Sequence, residues 1–328
     1  MASICSLSRR TSITGMTIAC AILPGGLQPG KPGSVGSGQP PVIIVEPGMA
    51  MFSLYDLEPS LPSINVLNVG AAENAQFPPP YAGLVAAGHA RVIGFEPDLA
   101  ACTDLSMKYG PPHRFFPLFV GGGGPATFHR TIRPDTGSLY PPNMPVLSLF
   151  NYLAENMAAL GTVDVRTVRI DDIDEIGDVD HIAIDVQGGE LGVFNGAENA
   201  LAAAVSIQTE VMFIELYKGQ PLFADIDTYL RQRGFWFHTF VDMNSLTMKP
   251  LQVGAVDFGL NQRLWSDAVY VHSPVQLDTL STDKLRKLAV LSHDVYRSYD
   301  LAHLYLAAAD ARDGGTLARR YFAQLAQL

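Results

Sequence analysis

The sequence predicts an α/β fold: a mostly parallel sheet with a late antiparallel hairpin, plus C-terminal helices. Three observations lead there. Short Val- and Ile-rich runs alternate with segments of helical apolar spacing. Several of the runs end on a glycine or an acid, as strands do where a loop leaves the carboxyl edge of a sheet. From Thr282 onward the apolar spacing is helical, with no further strand-like run.

The chain has 328 residues, of which 48% are hydrophobic and 16% charged. That excludes a disordered chain and implies a well-buried core. Its formal net charge is −10, and Lys and Arg are scattered, so the basic stripe that neutralises a phosphate backbone is missing. The expected partner is a small molecule, with no nucleic acid. No apolar run is long enough to span a membrane. Cys5, Cys20 and Cys102 have no metal-ligand spacing and do not make a disulfide framework, which points to a reducing, cytoplasmic setting and to no metal site.

Residues 1–41 read as a disordered N-terminal segment followed by a Gly/Pro/Ser-rich linker. Arg9-Arg10 before the apolar Ile13 to Leu23 run leaves an export signal as the alternative. A sheet domain over 42–274 follows, then a helical appendage over 275–328. Strands are expected at Val42–Val45, Ile64–Val69, Arg91–Phe95, Phe115–Val120, Val163–Ile170, His181–Asp185, Val205–Ile214, Phe235–Val241 and Trp265–His272. A short strand-like run also occurs at Ala126–His129. Helices are expected within Phe77–Gly88 once past its prolines, and at Leu99–Tyr109, Leu147–Leu160, Leu191–Ala204 with a break at Asn195-Gly196, and Leu222–Arg233 closed by Gly234. Gly121 to Gly124 lacks the Lys-Ser/Thr of a phosphate loop and reads as a connection between strands. Tyr140 to Asn143 either lines an acceptor pocket or forms a surface loop, of which the loop is expected, and His181 reads as a satisfied edge residue.

Ligands of open parallel sheets bind just beyond the strand ends, so chemistry is sought there. Asn68-Val69-Gly70-Ala71 ends the first strong strand; its glycine either lets a ligand approach the backbone or only makes the turn. Phe95-Glu96-Pro97-Asp98 follows the next strand. An acid at that position accepts hydrogen bonds from both ribose hydroxyls, and the division expected is that Glu96 binds and Asp98 caps the next helix. Ile184-Asp185-Val186-Gln187-Gly188-Gly189-Glu190 delivers two carboxylates and an amide to the rim, and Glu210 is the rim residue of the strand after it.

These blocks, with Phe194-Asn195-Gly196-Ala197, Val168 to Ile173 and Leu230 to Phe235, resemble the FkbM family of S-adenosylmethionine-dependent methyltransferases over about Asn65 to Phe240. The resemblance implies a Rossmann-like class I methyltransferase fold with S-adenosylmethionine over the first two strand ends. Asn68, Gly70, Ala71, Glu96, Pro97 and Asp98 would then hold the cofactor. Asp185, Glu190 and Glu210 would be catalytic, acting on a hydroxyl of a sugar, polyketide or related metabolite. Asn68 and Gln187 stand where the family usually has acids, and Ala72 and Asn74 replace its further glycines. Two alternatives accompany this reading: a degenerate fold used for binding alone, and a nicotinamide-dependent oxidoreductase.

Overall fold

The computed structural model describes residues 52–72 and 78–327. Residues 1–41 with Cys5 and Cys20, the expected strand at Val42–Val45, and Asn74 lie outside them. The chain opens with α1 (Leu54–Leu57), capped by the Ser53 hydroxyl, and passes into β1 (Ile64–Val69). Then come α2 (Ala82–Ala86), β2 (Ala90–Phe95), α3 (Leu99–Tyr109) and β3 (Arg114–Phe116). Asp98 caps α3, its Oδ1 accepting the Ala101 N–H at 2.9 Å, and Gly110 closes it.

An excursion follows: β4 (Phe119–Val120), β5 (Gly124–Thr131), α4 (Met144–Leu147), α5 (Leu153–Asn156) and β6 (Ala159–Val168). The second half runs β7 (His181–Ile184), α6 (Glu190–Asn195), α7 (Glu198–Ala203), β8 (Ser206–Met212), α8 (Phe223–Arg231), β9 (Phe235–Ser245) and β10 (Arg263–His272). It ends in α9 (Thr282–Val290), α10 (Tyr299–Asp313) and α11 (Leu317–Leu325).

Seven strands form the main sheet in the order β3-β2-β1-β7-β8-β10-β9. The first five are parallel, and β10 runs antiparallel to both β8 and β9. Strand order therefore reverses between β1 and β7, the switch point where an open sheet leaves a crevice.

Two expectations are corrected. Phe115–Val120 is not one strand: Pro117 has no N–H for a ladder, so β3 stays in the main sheet and β4 joins a second, three-stranded sheet in the order β4-β6-β5. Leu147–Leu160 is not one helix. Tyr152 takes a left-handed φ of 53°, which splits the segment into α4 and α5, and its last residues pair with β5 as part of β6. Within Phe77–Gly88 the helix begins past Pro78 to Pro80, as expected, and is α2.

Side-chain alternation gives the main sheet two faces. Leu67, Val69, Ile93, Phe95, Ile182, Ile184, Ile207 and Val211 form one core with α6, α7 and α8. Ile64, Val66, Ala90, Val92 and Val271 face the other way and share a core with α9, α10 and α11. The last three helices therefore cover the lower half of one sheet face.

A buried ion cluster ties them there. Asp180, fully buried just before β7, lies 2.7 Å from Lys284 Nζ and 3.1 Å from Lys287 Nζ, both on α9. Its Oδ2 accepts the Asn65 N–H at 2.9 Å, and its backbone carbonyl accepts from Val205 and Ser206. One residue, through its carboxylate and its carbonyl, thus joins β1, β7, β8 and α9. Asp180→Ala removes the buried partner that Lys284 and Lys287 share, leaving them only Asp178 and Asp283 at 3.3 Å each, and is expected to cost about 2 kcal/mol of folding stability in urea unfolding at neutral pH; a loss below about 0.5 kcal/mol would contradict this role.

Candidate active site

The strand registers place a row of chain positions across the carboxyl rim. Asn68 pairs with Gly94 and Ala183, Ala183 with Gln208, and Gln208 with Val269. Two positions further along, the same registers align Glu96, Gly70, Asp185, Glu210 and Asp267 on five neighbouring strands or strand ends. Alternation puts both rows on the face that carries α9 to α11. Asn68, Ala183, Asp185 and Asp267 are only half-buried, although they belong to central strands. Above the switch point, then, this face is open.

Gly70 makes the row possible. Its φ is 80°, and a Cβ placed on it would lie 1.9 Å from the Asp185 carbonyl oxygen. The Gly70 and Ala71 N–H groups both donate to the Phe95 carbonyl at 2.9 Å, while the Asp185 N–H donates to the Val69 carbonyl at 3.0 Å. The turn is thus a close-packing device, whatever else it admits.

Glu96 is buried, and its Oε1 accepts the Asp98 N–H at 2.9 Å. Burial raises its carboxyl above the ordinary range, against the opposing N–H groups of Asp98 and Ala72. Asp98 is the α3 cap, as expected, and Pro97 stands between the two acids.

At the other end, Gln187 Nε2 donates to Asp185 Oδ1 and to Glu210 Oε2, each at 2.9 Å. Tyr217 Oη lies 2.7 Å from Gln187 Oε1 and 3.0 Å from the Thr136 carbonyl. Burial raises the Asp185 carboxyl, opposed by its hydrogen bonds with Gln187 and Glu210. Glu190 Oε1 accepts the Val186 and Gly188 N–H groups at 3.1 and 3.0 Å, which seals the β7–α6 turn. Burial, and secondarily the charge of Asp185, pushes Glu190 up to about 7.

Two contributors were not read from the sequence. Asp267 faces Glu210 across the β8–β10 pair, accepts from Gln208 Nε2 at 2.8 Å, and is pushed up to about 7 by burial and by Asp185. Its signal was available: an acid in the apolar run Leu264 to Val271. Tyr217 had no such signal, because only the fold brings it beneath Gln187. Tyr140 to Asn143 is also corrected from a surface loop. Asn143 is buried, donates to the Glu215 carbonyl at 2.8 Å, and the segment packs on the loop after β8 because Pro142 bridges to Tyr217. His181 is fully buried, and desolvation lowers its pKa to about 4. Among the described residues no group of His, Cys, Asp and Glu is arranged to hold a metal, and no helix is long and apolar enough to cross a membrane.

Sheet order, the reversed β10 and an acid-lined switch point define a Rossmann-like class I methyltransferase fold. The profile of the Methyltransferase FkbM domain matches residues 68–237, from the end of β1 into β9. The chain belongs to that family. Among solved structures, magnesium protoporphyrin IX methyltransferase (ChlM) from Synechocystis PCC 6803, with bound SAM, is 14% identical over 67% of this chain and 76% of its own, with a TM-score of 0.34. A protein of the NADB-Rossmann superfamily from Streptococcus agalactiae is 12% identical over 81% of this chain and 100% of its own, TM-score 0.31. The 23S rRNA methyltransferase ErmE is 11% identical over 84% and 94%, TM-score 0.29. No curated protein matches the sequence significantly.

Glu190 and Asp267 make stability depend on pH. Both are raised in the folded state, from 4.5 and 3.8 to about 7, so the fold favours their protonated forms. Their contribution is fully present below pH 3.8 and is lost as pH rises towards 7. Asp267→Asn is expected to gain stability relative to wild type across that interval in denaturant titrations; parallel curves would contradict the assignment.

Proposed function

We propose that the chain is an S-adenosylmethionine-dependent methyltransferase that acts on a hydroxyl oxygen of a small metabolite such as a sugar or polyketide. The observation that supports this is the acid row over the switch point, on a chain of a methyltransferase family. When bound, the cofactor supplies a methyl group carried on a positively charged sulfur. The donor set fits such a guest. Glu96 is a buried acceptor suited to two vicinal hydroxyls, and the half-buried Asp185 contributes a negative field next to it.

In this reading Asn68, Gly70, Ala71, Glu96, Pro97 and Asp98 form the cofactor side. Asp98 serves it by starting α3 beside Glu96. On the acceptor side the Asp185–Glu210 pair removes the hydroxyl proton. Burial raises Asp185, and a raised carboxyl is a stronger base than an exposed one. Glu190 acts through the turn that carries Asp185. Alignment of acceptor and methyl group supplies most of the rate. The net charge of −10 and the acidic floor favour a small acceptor over nucleic acid. Hydride transfer loses its support with membership of a methyltransferase family.

Calorimetric titration with S-adenosylmethionine and S-adenosylhomocysteine tests the cofactor half. Wild type is expected to bind both, and Glu96→Ala to weaken both by about tenfold or more through loss of charge-assisted hydrogen bonds. Absence of binding by wild type overturns the reading. Methyl transfer to one member of a panel of hydroxylated acceptors distinguishes an enzyme from a binding-only fold.

A further inference from the structure

Gln187 is unusual in both backbone and side chain. Its φ is 55°, a left-handed conformation that side chains other than glycine adopt at a cost, and it is buried among acids. The Ser138 hydroxyl donates to its backbone carbonyl at 2.6 Å, which pins the main chain. The side-chain amide then has one satisfactory orientation. With Nε2 towards Asp185 and Glu210, both N–H bonds meet carboxyl oxygens and Oε1 meets the Tyr217 hydroxyl. Flipped, the amide would aim its oxygen at two carboxyls and its N–H bonds at a phenol.

The other acids facing the pair oppose its charge: Glu190 comes from α6 and Asp267 from β10, while the Tyr217 phenol, from the loop after β8, stays neutral. Asp135, on the turn after β5, adds a further charge and is itself paired with Arg133 at 2.6 Å. Among the described residues, neither Asp185 nor Asp267 belongs to an ion pair. Gln187 therefore contributes two N–H donors where a family-typical glutamate would contribute a further negative charge.

We propose that Gln187 is a positioning residue: its amide, locked by Tyr217, holds the Asp185 and Glu210 carboxyls side by side and favours release of the proton they share. The inference rests on the methyltransferase reading. The amide replaces the usual acid because Asp185, Glu210, Glu190 and Asp267 already crowd this end of the row. What the site requires there is a donor that keeps the acids charged, and a further charge would be self-defeating.

S-adenosylmethionine and S-adenosylhomocysteine differ by one methyl group and one positive charge, so the ratio of their affinities reports the charge of the pair. Calorimetry of both ligands from acidic to basic pH is expected to show that ratio rising with pH, as the shared proton is lost, and rising at lower pH in wild type than in variants that lack the amide donors. Gln187→Met keeps the length and removes both donors. It should move the midpoint up by about one pH unit and leave affinity for the neutral ligand within about twofold. Tyr217→Phe should move it in the same direction by less. A midpoint unchanged in Gln187→Met, or a ratio equally independent of pH in wild type and in Gln187→Met, overturns the inference while the methyltransferase reading stands. Binding of neither ligand by wild type overturns both. If Gln187→Met does not fold, Tyr217→Phe decides, and an unchanged midpoint there counts against the proposal.

Discussion

The approach of β1 to β7 is the constraint on which the rest of the molecule depends. These strands are far apart in sequence, yet Gly70 packs against the backbone carbonyl of Asp185 so closely that no Cβ fits between them. The Asp185 N–H completes the contact by donating to Val69. Once these two strand ends are level, the parallel registers carry the alignment outwards, to Glu96 on one side and to Glu210 and Asp267 on the other. Asp180 does the corresponding work at the opposite end, where a buried carboxylate shared by two lysines draws α9 onto the same face.

Lining up carboxyls on central strands is costly, because burial and mutual repulsion both disfavour the charged forms. The structure meets that cost with neutral donors. Gln187 serves Asp185 and Glu210, Gln208 serves Asp267, and backbone N–H groups serve Glu96 and Glu190. Tyr296, just before α10, donates to Gln208 Oε1 at 3.1 Å, so the C-terminal helices reach the floor of the site through one hydroxyl. The site is thus a hydrogen-bonded network laid on a sheet, and its titration belongs to the network as a whole.

Elements whose determinants are local were legible. Asp98 and Gly110 bracket α3, Gly234 follows α8, and Asn195-Gly196 separates α6 from α7, each through chemistry confined to a few neighbouring residues. The second sheet was not legible, because β4 contributes only Phe119 and Val120 and its partner is β6, a non-local strand. The split between α4 and α5 was hidden for a similar reason. Nothing in the local pattern favours a left-handed Tyr152; it is held where the chain turns to bridge Phe150 to Met248.

The sequence by itself determined the α/β class, the rim stations at Gly70, Glu96, Asp185 and Glu210, and the resemblance that pointed to the family. Apolar periodicity and residues placed just after strands are local signals. Only the tertiary structure decided that Asp267 and Tyr217 join the site, that Glu190 seals a turn, and that Gln187 donates to two acids. In sequence Gln187 is only an amide where the family usually has an acid. The physical reason is that hydrogen-bond partners and desolvation are set by strand order and register, and those follow from packing between segments that the chain brings together only when it folds.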